Sequence, residues 1–380
     1  MRAIVVGAGV LGASAAYHLA RAGAQVIVID AARDGRATAA GAGLICPWVS
    51  GVDDAVFYAL YADGGRYYTD LVPALAELGE TDLGFRRSGA LVVSADAAEL
   101  ACIERFARQR QADAPEMGAI SRLAPREARA LFPPLRQEYG AVHVAGGARV
   151  DGRRLAAALL RAAQKHGATL HPGEATLRAD GNRVLGVIVA GETITADEVI
   201  VTAGVWAPEL LHRLGIPLPI APQRGQIIHL RVAGYDTRDW PVILPPGSHY
   251  LVTFDDARVV AGATREPGAG FAYRVTAAGQ AEVLAHALDV APGLAGAELI
   301  ETRVGFRPVG PEVRPLLGRV RGVDGLVIGN GLGAAGLTIG PLAGRLLAEV
   351  ALGQQTRVDL VPFDPLRRSG SQRPHDVALR

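Results

Sequence analysis

Apolar and polar positions change period several times along the chain, and the changes mark its elements. Ala3-Ile4-Val5-Val6 is apolar without alternation, the pattern of a parallel strand buried on both faces. From Ala13 to Ala22 the apolar positions move to helical spacing, with Ala16, Leu19 and Ala20 on one face, and Gly23 ends the run. A second continuous run, Gln25 to Asp30, predicts another buried strand that closes on a carboxylate. Helical patterns follow at Asp53 to Glu80, Ala97 to Arg110, Arg126 to Phe132 and Arg153 to His166. Asp151 stands as the N-cap of the last.

Between these helices lie the strands Gly89 to Ser94 and Gly140 to Val144, then a meander from Ala168 to Thr195. Asp197 to Thr202 is again a buried strand, and it runs into Ala203-Gly204-Val205-Trp206. The segments Gln226 to Val232, Tyr250 to Phe254 and Val259 to Ala263 alternate, which predicts an antiparallel sheet. A helix over Thr276 to Val290, a strand at Gly325 to Gly329, a glycine loop from Gly331 to Gly336 and a helix from Gly340 to Leu352 complete the pattern. The fold class expected is therefore α/β with an α+β second domain. A Rossmann-type domain is built from residues 1–85, 140–220 and 301–365. A discontinuous antiparallel-sheet domain takes 86–139 and 221–300, and 366–380 form a polar tail expected to be disordered.

The first thirty residues carry chemistry. Gly7-Ala8-Gly9-Val10-Leu11-Gly12 sits between the first strand and the first helix, and Asp30 lies eighteen residues beyond Gly12. In a dinucleotide-binding βαβ unit the first glycine permits the turn, the second lets a pyrophosphate approach, and the third lets helix and strand touch. The helix N-terminus offers its free N–H groups to the phosphates, and a carboxylate in the position of Asp30 accepts from a ribose diol. Ala31, Arg33 and the small residues through Thr38, Ala39, Ala40, Gly43 and Leu44 would let backbone come close to a flat ligand.

Composition narrows the class. The chain has 380 residues, 49% hydrophobic and 20% charged, with a net charge of +1. That balance offers no bulk basic field for nucleic acid. Cys46 and Cys102, the two cysteines, are far apart and outside any CxxC, which argues against a disulfide framework, a metal centre or a dithiol redox pair. No apolar run reaches the ~18 residues that span a membrane, and the first strand starts too early for a signal peptide. The expected location is cytoplasmic, with peripheral contact at the inner membrane compatible; a homo-oligomer is compatible as well.

Several segments recur together in one order: the opening unit, Thr38 to Ile45, Val201 to Trp206, Tyr250-Leu251-Val252, Gly262-Ala263-Thr264, Gly305-Phe306-Arg307-Pro308 and Gly331 to Pro341. In these the chain resembles the D-amino acid oxidase family of flavoproteins, especially its glycine oxidase and D-amino acid dehydrogenase branch, over nearly its whole length. The resemblance implies FAD in the Rossmann-type domain and oxidation of an amino acid carbon–nitrogen bond. A small D-amino acid, glycine or a proline-type secondary amine would be the substrate, with oxygen or a respiratory carrier taking the electrons. It implies that Arg307 and Tyr250 bind the substrate carboxylate, a guanidinium being able to pair both oxygens, and that His249 and Trp48 line the pocket. Ala175, Ala203, Gly204, Trp206, Arg307 (in a second role), Leu332, Gly333, Ala334, Ala335, Gly336, Leu337 and Thr338 join the cofactor set. Leu332, Ala334 and Ala335 replace larger or polar residues of relatives and imply a smoother site. No cysteine lies in the Arg307 motif or the late glycine loop, so non-covalent FAD is expected. Asp30 also suits an NAD ribose, so an NAD-dependent dehydrogenase and a non-catalytic nucleotide-binding protein stand as alternatives.

Overall fold

The computed structural model describes residues 1–367. Residues 368–380, most of the expected polar tail, lie outside the described residues. Strand β1 (Arg2–Val6), helix α1 (Val10–Arg21) and strand β2 (Gln25–Asp30) form the opening unit. β1 pairs in parallel with β2 on one side and with Glu198–Val201 on the other, with Val6 opposite Ile29 and Val201. The full sheet has six strands, in the order Leu316–Arg319, Leu326–Asn330, Glu198–Val201, β1, β2, Thr169–Pro172.

Both faces of this sheet are covered, which is why its strands read as unbroken apolar runs. Ala3, Val5, Val26, Val28, Ile200 and Val327 point into a core shared with α1, Ala55–Glu77, Gly152–Lys165 and Gly336–Ala351. Ile4, Val6, Ile29, Val199, Val201 and Ile328 point the other way, onto the antiparallel ribbon Ala175–Asp180, Arg183–Val189 and Glu192–Thr195. A second, eight-stranded sheet has the order Glu298–Val309, Ala221–Arg231, Arg258–Gly262, Tyr250–Phe254, Val242–Leu244, Ala90–Ser94, Gly140–Val144, Ile120–Leu123.

Several expectations shift. Gly140–Val144 and Glu298–Val309, assigned above to or across the nucleotide unit, hydrogen-bond into the eight-stranded sheet instead. Thr169–Pro172, read as the start of the meander, pairs in parallel with β2. The strands Ile120–Leu123, Val242–Leu244 and Leu316–Arg319 escaped the reading because each is only three or four residues long. α1 starts at Val10, not Ala13, and the last helix starts at Gly336, not Gly340. In both cases glycines treated as loop residues lie inside the helix. Further along the last helix, Gly340 and Gly344 are there for contact. A Cβ on Gly344 would sit 2.5 Å from the Leu11 carbonyl oxygen, and one on Gly340 would sit 2.7 Å from Val10 Cγ1. Asp151 does cap its helix, accepting from the N–H groups of Arg153 (3.0 Å) and Arg154 (3.3 Å).

Candidate active site

The carboxyl ends of β1, β2 and Glu198–Val201 meet where strand order reverses, the place where open α/β sheets bind ligands. Each glycine of the opening motif has a distinct job there. Gly7 has φ +107°, and a Cβ would lie 2.7 Å from the Thr202 carbonyl oxygen. Gly12 is not on the pocket wall: a Cβ there would collide with the Gly7 carbonyl oxygen, so this glycine seats α1 against the strand. Gly9 caps α1, brings no side chain to its end, and lines the pocket. Helical N–H groups therefore face the cavity, the arrangement that binds a pyrophosphate. Thr38 Oγ1 accepts from Val10 N–H at 3.0 Å and holds the second wall.

Asp30 accepts from Ala8 N–H and Ala32 N–H, both at 2.6 Å, and Arg36 stands 3.6 Å away. A carboxylate has about four lone-pair directions, so it retains capacity toward a ribose diol. Leu332, Gly333, Ala334 and Gly336 bring the start of the last helix to the same pocket, again with its positive end inward. Two glycine-lined helix N-termini and a carboxylate at the sheet's switch point fit a dinucleotide with a pyrophosphate and a second anionic end.

The pocket walls include Gly7, Gly9, Val10, Leu11, Asp30, Ala31, Arg33, Thr38, Ala40, Gly43, Leu44, Ala175, Ala203, Gly204, Trp206, Leu337, Tyr250 and Arg307 of the expected set. Besides Gly12, the expected residues absent from the wall are Ala39, Ala335, Thr338, His249 and Trp48. Ala39 turns its carbonyl to Arg153 Nε (2.9 Å), and Ala335 is fully buried. The Thr338 hydroxyl donates to the Leu44 carbonyl at 3.3 Å, bracing the wall from behind. Trp48 is sealed in the core beneath the eight-stranded sheet, its bulk filling space between the sheet and helix Ala55–Glu77. His249 alternates away from Tyr250 along the chain and stacks on His286 of helix Ala277–Val290, ring centres 3.7 Å apart. Burial, His286 and Arg265 hold its imidazole down to about 4.

The eight-stranded sheet supplies the other wall. Gly225 faces Gly305 across the ladder, and Gln223 faces Arg307. A Cβ on Gly225 would lie 2.5 Å from Arg307 Nη1, so the guanidinium lies flat across that glycine. Arg307 Nη1 donates to the Thr264 carbonyl (3.1 Å), which aims the group. Tyr250 enters from the strand Tyr250–Phe254; burial raises its phenol pKa, while Arg307, which also hydrogen-bonds it, and Arg265 oppose the rise. The phenol stays protonated and can donate. Arg265, Ser248, Ala263 and Tyr61 also line the cavity, and sequence reading missed them. Arg265 carried one available signal: it follows directly on the Gly262-Ala263-Thr264 segment already singled out.

These features fit a flavin or nicotinamide dinucleotide, under a sheet that brings the Arg307 and Arg265 side chains to the same cavity. Comparison with known proteins decides the class. The model of the FAD dependent oxidoreductase (DAO) family matches residues 2–350, and the chain belongs to that family. It is an FAD-dependent oxidoreductase, which retires the NAD and non-catalytic alternatives. The chain is 32% identical to a glycine oxidase of Pseudomonas aeruginosa, covering 97% of this chain and 99% of that one. It is 50% identical to the oxidoreductase YurR of Bacillus subtilis over 95% and 98% of the two chains. Among solved structures, iminodiacetate oxidase from Chelativorans sp. BNC1 superposes with TM-score 0.94 at 55% identity, covering 96% of this chain and 99% of that chain. Among the described residues no helix is long and apolar enough to cross a membrane.

Proposed function

We propose that this protein oxidises the carbon–nitrogen bond beside a carboxylate in a small amino acid, with N-carboxymethyl secondary amines such as iminodiacetate as the leading substrates. The observation that carries the reading is the convergence of Arg307, Arg265 and the Tyr250 phenol on a cavity floored by Gly225, Gly305 and Ala263. Two guanidinium groups and a neutral donor can grip a carboxylate, and a glycine floor leaves room for its α-carbon to lie against a planar ring. The names of the 55% identical iminodiacetate oxidase and the 32% identical glycine oxidase support the same chemistry.

In this reading Gly9, Thr38 and the start of α1 hold the pyrophosphate, Asp30 the ribose, and Leu332 to Gly336 the far end of the cofactor. FAD, when bound, supplies the two-electron acceptor for the hydride that leaves the carbon, and the resulting imine is hydrolysed by water. Arg307 and Arg265 neutralise the carboxylate and fix the carbon, and among the described residues of this wall no Asp or Glu lines the pocket to hold the substrate nitrogen as an ammonium, so it can react as the neutral amine. Neither cysteine lines the pocket, which supports non-covalent FAD.

The test is an anaerobic visible spectrum of the yellow protein before and after adding iminodiacetate, glycine, prolines and D-amino acids in turn. Bleaching by iminodiacetate is expected, and readmitting air separates oxygen from a respiratory carrier as the acceptor. A spectrum that none of these compounds changes would sink the substrate assignment.

A further inference from the structure

One loop is built in two halves of opposite character. It leaves strand Arg258–Gly262, passes Arg265 on the pocket wall, and returns at Thr276, the N-cap of helix Ala277–Val290. Its two ends are locked together. The Glu266 carboxylate accepts from Gln226 Nε2 and from Thr264 Oγ1, both at 2.7 Å, and from Arg224 Nε at 3.1 Å. Gln226 also binds Thr276, accepting from its N–H at 3.0 Å and donating to its hydroxyl at 2.9 Å. Gln226 and Thr264 are fully buried and Arg224 nearly so, which makes this a fixed base.

The far half is held differently. Gly268 and Gly270 take φ of +78° and +55°, where side chains are disfavoured, and an added Cβ at either would meet nothing within 4 Å. Steric packing therefore does not explain these glycines; backbone conformation does. Beyond them the Ala272 carbonyl accepts from Arg224 Nη1 at 3.1 Å. Otherwise the tip rests on rings. Phe271 stacks on Trp206 with centres 6.1 Å apart and meets Phe306 edge-on at 5.6 Å; Tyr273 meets Phe306 at 6.4 Å. Trp206 belongs to the nucleotide side and lines the pocket, with the Arg33 guanidinium 5.7 Å from its ring. The loop thus bridges from the eight-stranded sheet to the nucleotide unit beside the segment that follows Asp30. Yet Phe271 and Tyr273 each remain 52% exposed, so the bridge is a shallow contact on a rigid base.

We infer that residues 267–275 form a strap beside the cofactor pocket, latched by Phe271 on Trp206 of the pocket wall and hinged at Gly268 and Gly270, and that the strap slows release of FAD. The inference rests on the assignment of the pocket to FAD. A ligand packed against Trp206 steadies the ring on which Phe271 rests, and the latch in turn holds that wall in place against ligand release. This coupling is reciprocal. Loss of a latch of one aromatic pair should change the release rate about tenfold.

The experiment dilutes holoenzyme and follows free flavin by its fluorescence, for the wild type, Phe271→Ala, Phe271→Tyr and Asp30→Ala. Phe271→Ala is expected to release FAD about tenfold faster, and Phe271→Tyr within about twofold of the wild type, because a ring still covers Trp206. In the wild-type protein, tryptic cleavage after the exposed Arg274 is expected to accelerate when FAD is removed. A Phe271→Ala rate within about twofold of wild type, or cleavage at Arg274 indifferent to FAD, would overturn the strap. If Asp30→Ala speeds release and Phe271→Ala does not, the strap alone is wrong. Should neither variant change the rate, the pocket assignment itself fails and the strap with it.

Discussion

The end of the pocket proposed for the substrate carboxylate depends on one missing side chain. Gly225 sits opposite Gly305, and the Arg307 guanidinium occupies the space that any Cβ on Gly225 would take. Gly225→Ala should therefore push Arg307 out of line without touching the FAD pocket's far end. Removing a charge-assisted pairing is worth about 1.5–3 kcal/mol, or roughly ten- to a hundredfold in kcat/KM. Arg307→Ala should cost at least as much as Gly225→Ala, mostly through KM, with flavin content unchanged. Steady-state kinetics on a carboxylate-bearing amine check both, and wild-type kinetics for Arg307→Ala would remove it from the anchor. Arg307 was legible in the sequence through its Gly-Phe-Arg-Pro setting. The role of Gly225 was not, because it is defined by a neighbour across two strands.

Among elements, the crossing of α1 and Gly336–Ala351 brings two helix starts to one pocket. Both helices aim their N-termini at the pocket, and they approach closely because Gly340 and Gly344 present no side chain to Val10, Leu11 and Ser14. Read along the chain, those glycines only weaken a helix, by up to about 1 kcal/mol each; the later expected start came from the loop pattern of Gly331 to Gly336. In the fold they give contact that no other residue permits. Gly344→Val should cost about 1–3 kcal/mol through overpacking and should also reduce bound flavin, since the helix ends move. Chemical denaturation together with the flavin-to-protein absorbance ratio tests this; a variant with wild-type values for both would show that the close crossing is dispensable. Elsewhere the element pattern was readable where runs were long, as in β1, β2 and the Asp151-capped helix. It failed at strands of three or four residues, where period cannot be measured.

For the whole molecule, acid stability exposes a half-buried base. His18 of α1 lies 2.7 Å from the Tyr67 hydroxyl of helix Ala55–Glu77. Burial above all, then Arg345 and Arg21, lowers its pKa from 6.5 to about 3. The fold therefore keeps this imidazole neutral, while the unfolded chain protonates it. Stability should fall as pH drops below about 6.5 and level off only near 3, the unfolded state binding the extra proton in between. Between pH 6.5 and 4.5 this one group accounts for about 2–3 kcal/mol. His18→Gln, which keeps a partner for Tyr67, should flatten that part of the curve. If denaturation free energies of the two proteins run parallel across the window, this imidazole is not the cause.

By itself the sequence determined the βαβ opening, the position of Asp30, the strand-to-glycine transition at Val201 to Gly204 and the family pattern that carries FAD. Each of these is local: a period, a turn residue or a spacing that the backbone must obey wherever it folds. Tertiary structure alone decided that Trp48 fills a core and His249 turns to a helix, that Arg265 joins Arg307 and Tyr250, and that Gly140–Val144 and Glu298–Val309 belong to the eight-stranded sheet. Those outcomes depend on which strands lie side by side. Strand order is set by burial summed over the whole chain, and no window of sequence contains that sum.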